Sequence, residues 1–288
     1  MKKIILLLVT IIAVPSLLSC TNNGNSNRNS TTASDGSNIN DSTLCQFSNI
    51  DADKKFSYVD DDGDTLYYDN TFSAFWPQII NGKPCPELQK ALFRAMTDSA
   101  ELNQLDKAID FLLNPANYTK IEADRLTLVE EVKQDDRKLS TNEIDVVMQS
   151  MNDRLLLYHL ATFSYNAGGA HGTYAHNYVT YDLKTEKAVE FDDVIADTTL
   201  LRTAILKSIK QTYDYDKDDL FIPDNGLLPL PRDFYIEGSV LHVVYQVYDI
   251  ASYAQGAIDA PIYPYMLKPD EMKRLFTPYG QEIIDYND

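Results

Sequence analysis

Two runs of alternating residues stand on either side of one short loop. They are DRLLLYHLATFSYN, from Asp153 to Asn166, and TYAHNYVTYDL, from Thr173 to Leu183, with AGGAHG between them. Alternation with a period of two marks a strand with one covered face. A loop this short sends the second strand back along the first, antiparallel. Upstream, EIDVVMQSMN meets the first run at Asn152-Asp153, a turn pair, and downstream KTEK supplies another turn. An antiparallel meander is therefore the least that this chain must form. Gly168 and Gly169 supply backbone freedom for the loop, and Gly172 lets the chain re-enter the sheet.

The rest of the chain adds helices and further strands. KKFSYV, TLYYD and TFSAFWPQI, between Lys54 and Ile79, read as aromatic-rich strands broken by Asp and Gly. PELQKALFRAM reads as a helix, with Pro86 in its first turn and Leu88, Ala91, Leu92 and Met96 on one face. NQLDKAIDFLL follows, with Leu105, Ala108, Ile109 and Leu112 aligned. DRLTLVEEVK reads as a strand. TTLLRTAILKSIKQTY reads as a helix with Leu201, Ala204, Ile205, Ser208 and Ile209 on one face. DFYIEGSVLHVVYQVYDI predicts a hairpin over Glu237-Gly238-Ser239, APIYPYML a late strand, and PDEMKRLF a short helix. The pattern predicts an α+β fold of antiparallel sheets with packed helices. A small N-terminal α/β subdomain, residues 44–140, is expected before a larger C-terminal domain, residues 141–288.

The N-terminus carries a different signal. Lys2-Lys3 precedes the apolar run IILLLVTIIAVPSLLS, which ends at Leu17-Leu18-Ser19-Cys20. This is similar to a bacterial lipoprotein signal over residues 1–19, with Cys20 as the lipid attachment point. Thr21 after the cysteine favours the outer membrane, with the periplasmic or surface face left open. Residues 20–43 are nearly all Asn, Ser, Thr, Gly and Asp, and they read as a flexible tether. Of the 3 cysteines, Cys45 and Cys85 remain, and outside the cytoplasm they are expected to form a disulfide.

Charge and motifs narrow the function. A net charge of −18 repels phosphate backbones, argues against nucleic acid, and attracts cationic partners. His171 and His176 are spaced H-x4-H, which puts them on opposite faces of a strand and does not suit one zinc ion. VDDDGDTLYY and DYDKDDLFIPDN lack the Gly and Glu of a calcium loop and read as solvated acidic turns, with weak calcium binding left open. No nucleophile elbow and no phosphate-cradling loop is present. Asp182, Asp192 and Asp193 could offer paired carboxylates, but no element is identifiably opposite them. No cofactor and no metal is expected. Tyr248, Tyr253, Tyr263 and Tyr265 cluster late in the chain, a composition that suits binding faces and aromatic edges alike.

These residues carry a resemblance. YNAGGAHGTYAHNYVTYDLKTEKAVEFDDVI, together with Tyr248, Ile250, Ala251, Tyr253, Ala254 and Gly256, resembles the RsiV/PdaC-like extracytoplasmic domain family. That domain is shared by a lysozyme-sensing anti-sigma factor and a peptidoglycan deacetylase. FSAFWPQIINGKPCPELQKALF is similar to the small domain that precedes it there. The catalytic and sigma-binding parts of those proteins find no match here. The resemblance therefore implies a non-enzymatic envelope lipoprotein that binds a cationic muramidase or a peptidoglycan fragment. Tyr165, Gly168, Gly169, His171, Tyr248, Tyr253 and Tyr263 are its candidate binding residues. The alternative is a cell-wall glycan deacetylase or hydrolase using His171 with nearby carboxylates.

Overall fold

The computed structural model describes residues 44–98, 102–135, 137–231 and 233–285. The expected signal peptide, Cys20 and the tether lie outside these residues. Among the described residues, no helix is long and apolar enough to cross a membrane.

The first structure is a long antiparallel hairpin, β1 (Gln46–Val59) and β2 (Thr65–Ile80). Its turn is held from within, because Asp60 Oδ1 accepts the N–H groups of Asp62 and Asp64. Asp61 and Asp64 pair with Arg125 and Lys138, so the acidic turn is partly neutralised. β3 (Lys83–Pro84) turns back on β2 and leads into α1 (Pro86–Thr97) and α2 (Leu105–Leu112). β4 (Thr127–Val129) joins the edge of β1. The meander then follows as β5 (Leu139–Met151), β6 (Leu155–Tyr165), β7 (Thr173–Asp182) and β8 (Lys187–Ala188). The sheet order is β4-β1-β2-β5-β6-β7-β8, with β3 also on β2.

β2 and β5 pair in parallel, Tyr67 opposite Leu139 through Ala74 opposite Val146. Among the described residues, this is the one parallel pairing in the sheet. Position 140/141, the expected subdomain boundary, falls inside β5, so both parts of the chain build one sheet. Side-chain parity decides which face is covered. Phe72, Ala74, Trp76, Ile144, Val146, Leu160 and Val179 face α1 and α2, and pack with Leu88, Leu92, Phe93 and Ala108. Each large apolar side chain buried there contributes roughly 1.5–3 kcal/mol.

A second sheet, order β11-β10-β9, is built from β9 (Asp233–Glu237), β10 (Val240–Tyr245) and β11 (Ile258–Ile262). α3 (Phe191–Val194), α4 (Thr198–Tyr213), α5 (Pro269–Leu275) and α6 (Pro278–Asp285) close its core. Leu201, Ile205 and Ile209 of α4 meet Ile236, Val243 and Ile258. Asp197 caps α4 by accepting the N–H groups of Thr199 and Leu200.

A buried ion pair ties the meander to α6. The Arg154 guanidinium meets the Asp182 carboxylate at 2.8 Å and Glu282 at 2.8 Å. Tyr279 Oη donates to Asp182 at 2.8 Å, and the Lys184 N–H donates to it at 2.8 Å. Burial opposes ionisation of Asp182, but these donors outweigh it and hold the carboxyl below its usual range. Asp182 is thus a structural anion. Asp193 caps the Glu190 N–H at the start of α3.

Several expectations change in detail. TLYYD and TFSAFWPQI are one continuous strand, because Asn70 is buried and donates through Nδ2 to the Leu113 carbonyl. DRLTLVEEVK keeps only the three residues of β4 as strand. It pairs with β1 alone, and Leu128 stays exposed, so nothing extends it. The hairpin strand ends at Tyr245, where Gln246 N–H bonds the Asp249 carboxylate and Tyr248 takes a φ of +71°. α6 was not expected from sequence.

Cys45 and Cys85, the pair expected as a disulfide, are not bonded to one another in the structure. Ile79 of β2 pairs with Gln46 on one side and Pro84 on the other, so β2 runs between the segments that carry the two cysteines. Burial pushes the Cys85 thiol up to about 11, and Cys45 adds to that shift.

Candidate binding surface

The face of the large sheet turned away from α1 and α2 can be read from register, since directly opposed residues share a face. One row runs Asp51, Ser73, Asp145, Ala161, His176. The next runs Asp53, Thr71, Glu143, Phe163, Tyr174. Asp51, Asp53, Glu143 and Asp145 are exposed. Lys55 bridges Asp53 and Asp69 and is the cation among them. Desolvation, then the charges of Asp145 and Asp69, raise the Glu143 carboxyl above its usual range. Val147 and Tyr174 add exposed apolar area to the same face.

Rings continue this surface from the large sheet to the small one. His176, His159, Tyr178, Tyr235 and His242 stack in sequence, with centroid separations of 5.2, 4.7, 4.3 and 4.3 Å. They come from β6, β7, β9 and β10, so the stack bridges the two sheets. Its far end is charged, because Asp259 of β11 accepts from Tyr235 Oη at 2.8 Å and pairs with His242 Nδ1 at 3.0 Å. Its near end is neutral. His159 Nε2 and His176 Nδ1 lie 3.0 Å apart, so one ring must donate and the other accept. Burial, then the neighbouring His176, pushes the His159 imidazole down to about 4. Burial lowers His176 too. Gln246 clamps the His176 backbone, accepting its N–H at 2.9 Å and donating to its carbonyl at 2.6 Å.

The glycine-rich loop joins β6 to β7. His171 stacks on Tyr253 at 3.8 Å, and Tyr253 Oη donates to the Gly172 carbonyl at 2.7 Å. Tyr248 tilts against Tyr253 at 5.8 Å and is exposed. Tyr165 Oη donates to the Gly169 carbonyl at 3.0 Å. Gly168 has a φ of +70°, and a side chain at Gly169 would come within 2.8 Å of the Asn166 carbonyl oxygen. A Cβ at Gly172 would lie 2.1 Å from the Phe163 ring.

The structure thus brings Tyr165, Gly168, Gly169, His171, Tyr248 and Tyr253 into one region. It separates Tyr263, which follows the far end of β11 and stacks on Tyr265 at 5.1 Å. His171 precedes β7 and makes its contacts with the loop and Tyr253. His176 meets His159, a residue that motif spacing did not single out. His159, Tyr178, Tyr235, His242, Asp259 and the acidic row were all missed. Strand parity was the usable signal, since hairpin pairing about AGGAHG sets His159 opposite Tyr178. Among the described residues, no three His, Cys, Asp or Glu side chains gather as a metal site.

One segment of the chain, which carries part of this surface, matches a described family. Residues 191–263, from α3 through β11, match a family described as a protein of unknown function (DUF3298). That segment carries Tyr235, His242, Tyr248, Tyr253 and Asp259. A DUF3298 family member from Bacteroides fragilis NCTC 9343 has a similar solved structure, with a TM-score of 0.58 and 16% identity over 84% of this chain and 97% of that one. A DUF3298 family protein from Pseudomonas aeruginosa PAO1 is also similar, with a TM-score of 0.49 and 14% identity over 81% and 96% of the chains. No curated protein matches. The α+β architecture is therefore one seen in a solved DUF3298 structure.

Proposed function

We propose that this chain is a non-enzymatic binding module of the bacterial cell envelope, lipid-anchored at Cys20, whose acidic and aromatic sheet face docks a cationic protein of the muramidase type. The observation that carries this reading is the row of Asp51, Asp53, Glu143 and Asp145 on the sheet face that α1 and α2 leave uncovered, beside exposed Val147 and Tyr174. Such a face draws a basic partner by long-range attraction and then offers it apolar area. Asp182, a carboxylate candidate for catalysis, is held in a structural ion pair. The test is titration of a cationic muramidase against the full chain at low and high salt, with Glu143→Lys and Asp145→Lys as controls.

One observation favours hydrolysis of cell-wall glycans instead. His242 and Asp259 form a partly buried couple at 3.0 Å, an arrangement able to activate water. Release of acetate or sugar ends by the full chain, abolished in His242→Ala, would establish that reading. Release that persists in His171→Ala would remove His171 from it.

A further inference from the structure

The helix-facing side of the large sheet changes character along its length. At one end it is apolar, with Trp76, Val146 and Leu160 under α1 and α2. At the other end the same face carries amides and hydroxyls. Asn70 is opposite Asn142, Asn142 opposite Ser164, and Tyr68 opposite Ser140. Buried amides are costly to desolvate unless they find partners, as Asn70 does at the Leu113 carbonyl.

Tyr68, Ser140, Asn142 and Ser164 line a cavity of about 450 Å³, within the roughly 300–1,000 Å³ range of small-molecule sites. Its other wall comes from the ends of α1 and α2 and the segment after them, including Phe111, Asn117 and Tyr118. Tyr165 and Asn166, from the start of the glycine-rich loop, complete it. In a chain of net charge −18, none of the lining residues is acidic or basic.

Asn142 is 7% exposed, and Ser164 Oγ donates to its Oδ1 at 2.7 Å, which fixes both side chains on the cavity wall. Uncharged donors and acceptors, tyrosine rings and a small apolar floor of Ile144 and Met96 together suit a ligand rich in hydroxyls and without charge. We infer that this cavity is a binding site for a neutral saccharide of one or two rings, separate from the acidic face.

The test is calorimetric and NMR titration of the full chain with maltose and with N,N′-diacetylchitobiose, and with glucuronate as the charged control. The expected result is saturable binding of a neutral disaccharide that high salt leaves unchanged and that shifts the resonances of Asn142 and Ser164. Tyr118→Ala and Asn142→Leu, each shown folded by circular dichroism, should weaken it about tenfold or more. Both variants should bind a cationic muramidase as the parent does, which keeps this site distinct from the proposed docking face. Absence of binding by both neutral sugars would overturn the inference, and so would binding that both folded variants retain. Equal or tighter binding of glucuronate would overturn it as well.

Discussion

His171 lies flat against Tyr253, 3.8 Å between ring centroids, and the Tyr253 hydroxyl donates to the carbonyl of the next residue, Gly172, across 81 positions of chain. The two segments that look most distinctive in the sequence are therefore one structural unit. Tyr253→Phe keeps the ring stack and removes the hydroxyl. It should cost about 1 kcal/mol of stability and speed amide exchange around Gly172, with little change elsewhere. Exchange measured by mass spectrometry checks this, and uniform exchange across the chain would count against it.

Gly172 is fixed by space. A methyl group there meets the Phe163 ring at 2.1 Å. Gly172→Ala should destabilise the fold by roughly 1–3 kcal/mol. Phe163→Leu in the same chain should recover part of that loss, as read by urea denaturation.

The histidine pair makes stability depend on pH. The folded pKa of His159 is depressed from 6.5 to about 4, first by burial and then by His176, with Asp145 opposing. Above pH 6.5 both folded and unfolded states hold the ring neutral, so its contribution is constant. As pH falls below that value, the unfolded chain takes up a proton that the folded chain refuses. Stability should drop from pH 6.5 down to about 4, by at most about 2–3 kcal/mol, and level off below. His159→Gln should flatten the profile in that window. Loss from Asp182 runs at lower pH, since its depressed carboxyl stabilises the fold until it is protonated.

Arg154 and Asp182 are 3% and 0% exposed as side chains. Arg154→Met leaves a buried carboxylate uncompensated and should cost about 3–5 kcal/mol. Adding Asp182→Asn should restore much of it, because the isolated charge is gone. Thermal melts of the two singles and the double resolve the coupling, and additive losses would contradict it.

Much of the architecture was legible in sequence because it rests on local periodicity. The β6–β7 hairpin, α1, α2 and α4 follow from alternation or from i, i+3, i+4 spacing. TLYYD and TFSAFWPQI read as separate strands, yet the Leu113 carbonyl gives the Asn70 amide between them a partner inside the fold. The parallel β2–β5 contact joins strands separated by two helices, and no local pattern encodes that choice. The glycine-rich loop and Tyr253 were legible as separate motifs. The stack of His176, His159, Tyr178, Tyr235 and His242 was not, because it depends on how two sheets meet. The acidic row was hidden in the same way, since Asp51, Ser73 and Asp145 are adjacent only once β1, β2 and β5 are in register.

The acidic sheet face is proposed to dock a cationic protein. The most direct measurement is the affinity of a cationic muramidase for the full chain at low salt, with and without charge reversal at Glu143 and Asp145. Binding should weaken as salt rises and fall at least tenfold in the Glu143→Lys, Asp145→Lys variant. No binding at low salt, or an affinity that the double reversal leaves intact, would contradict it.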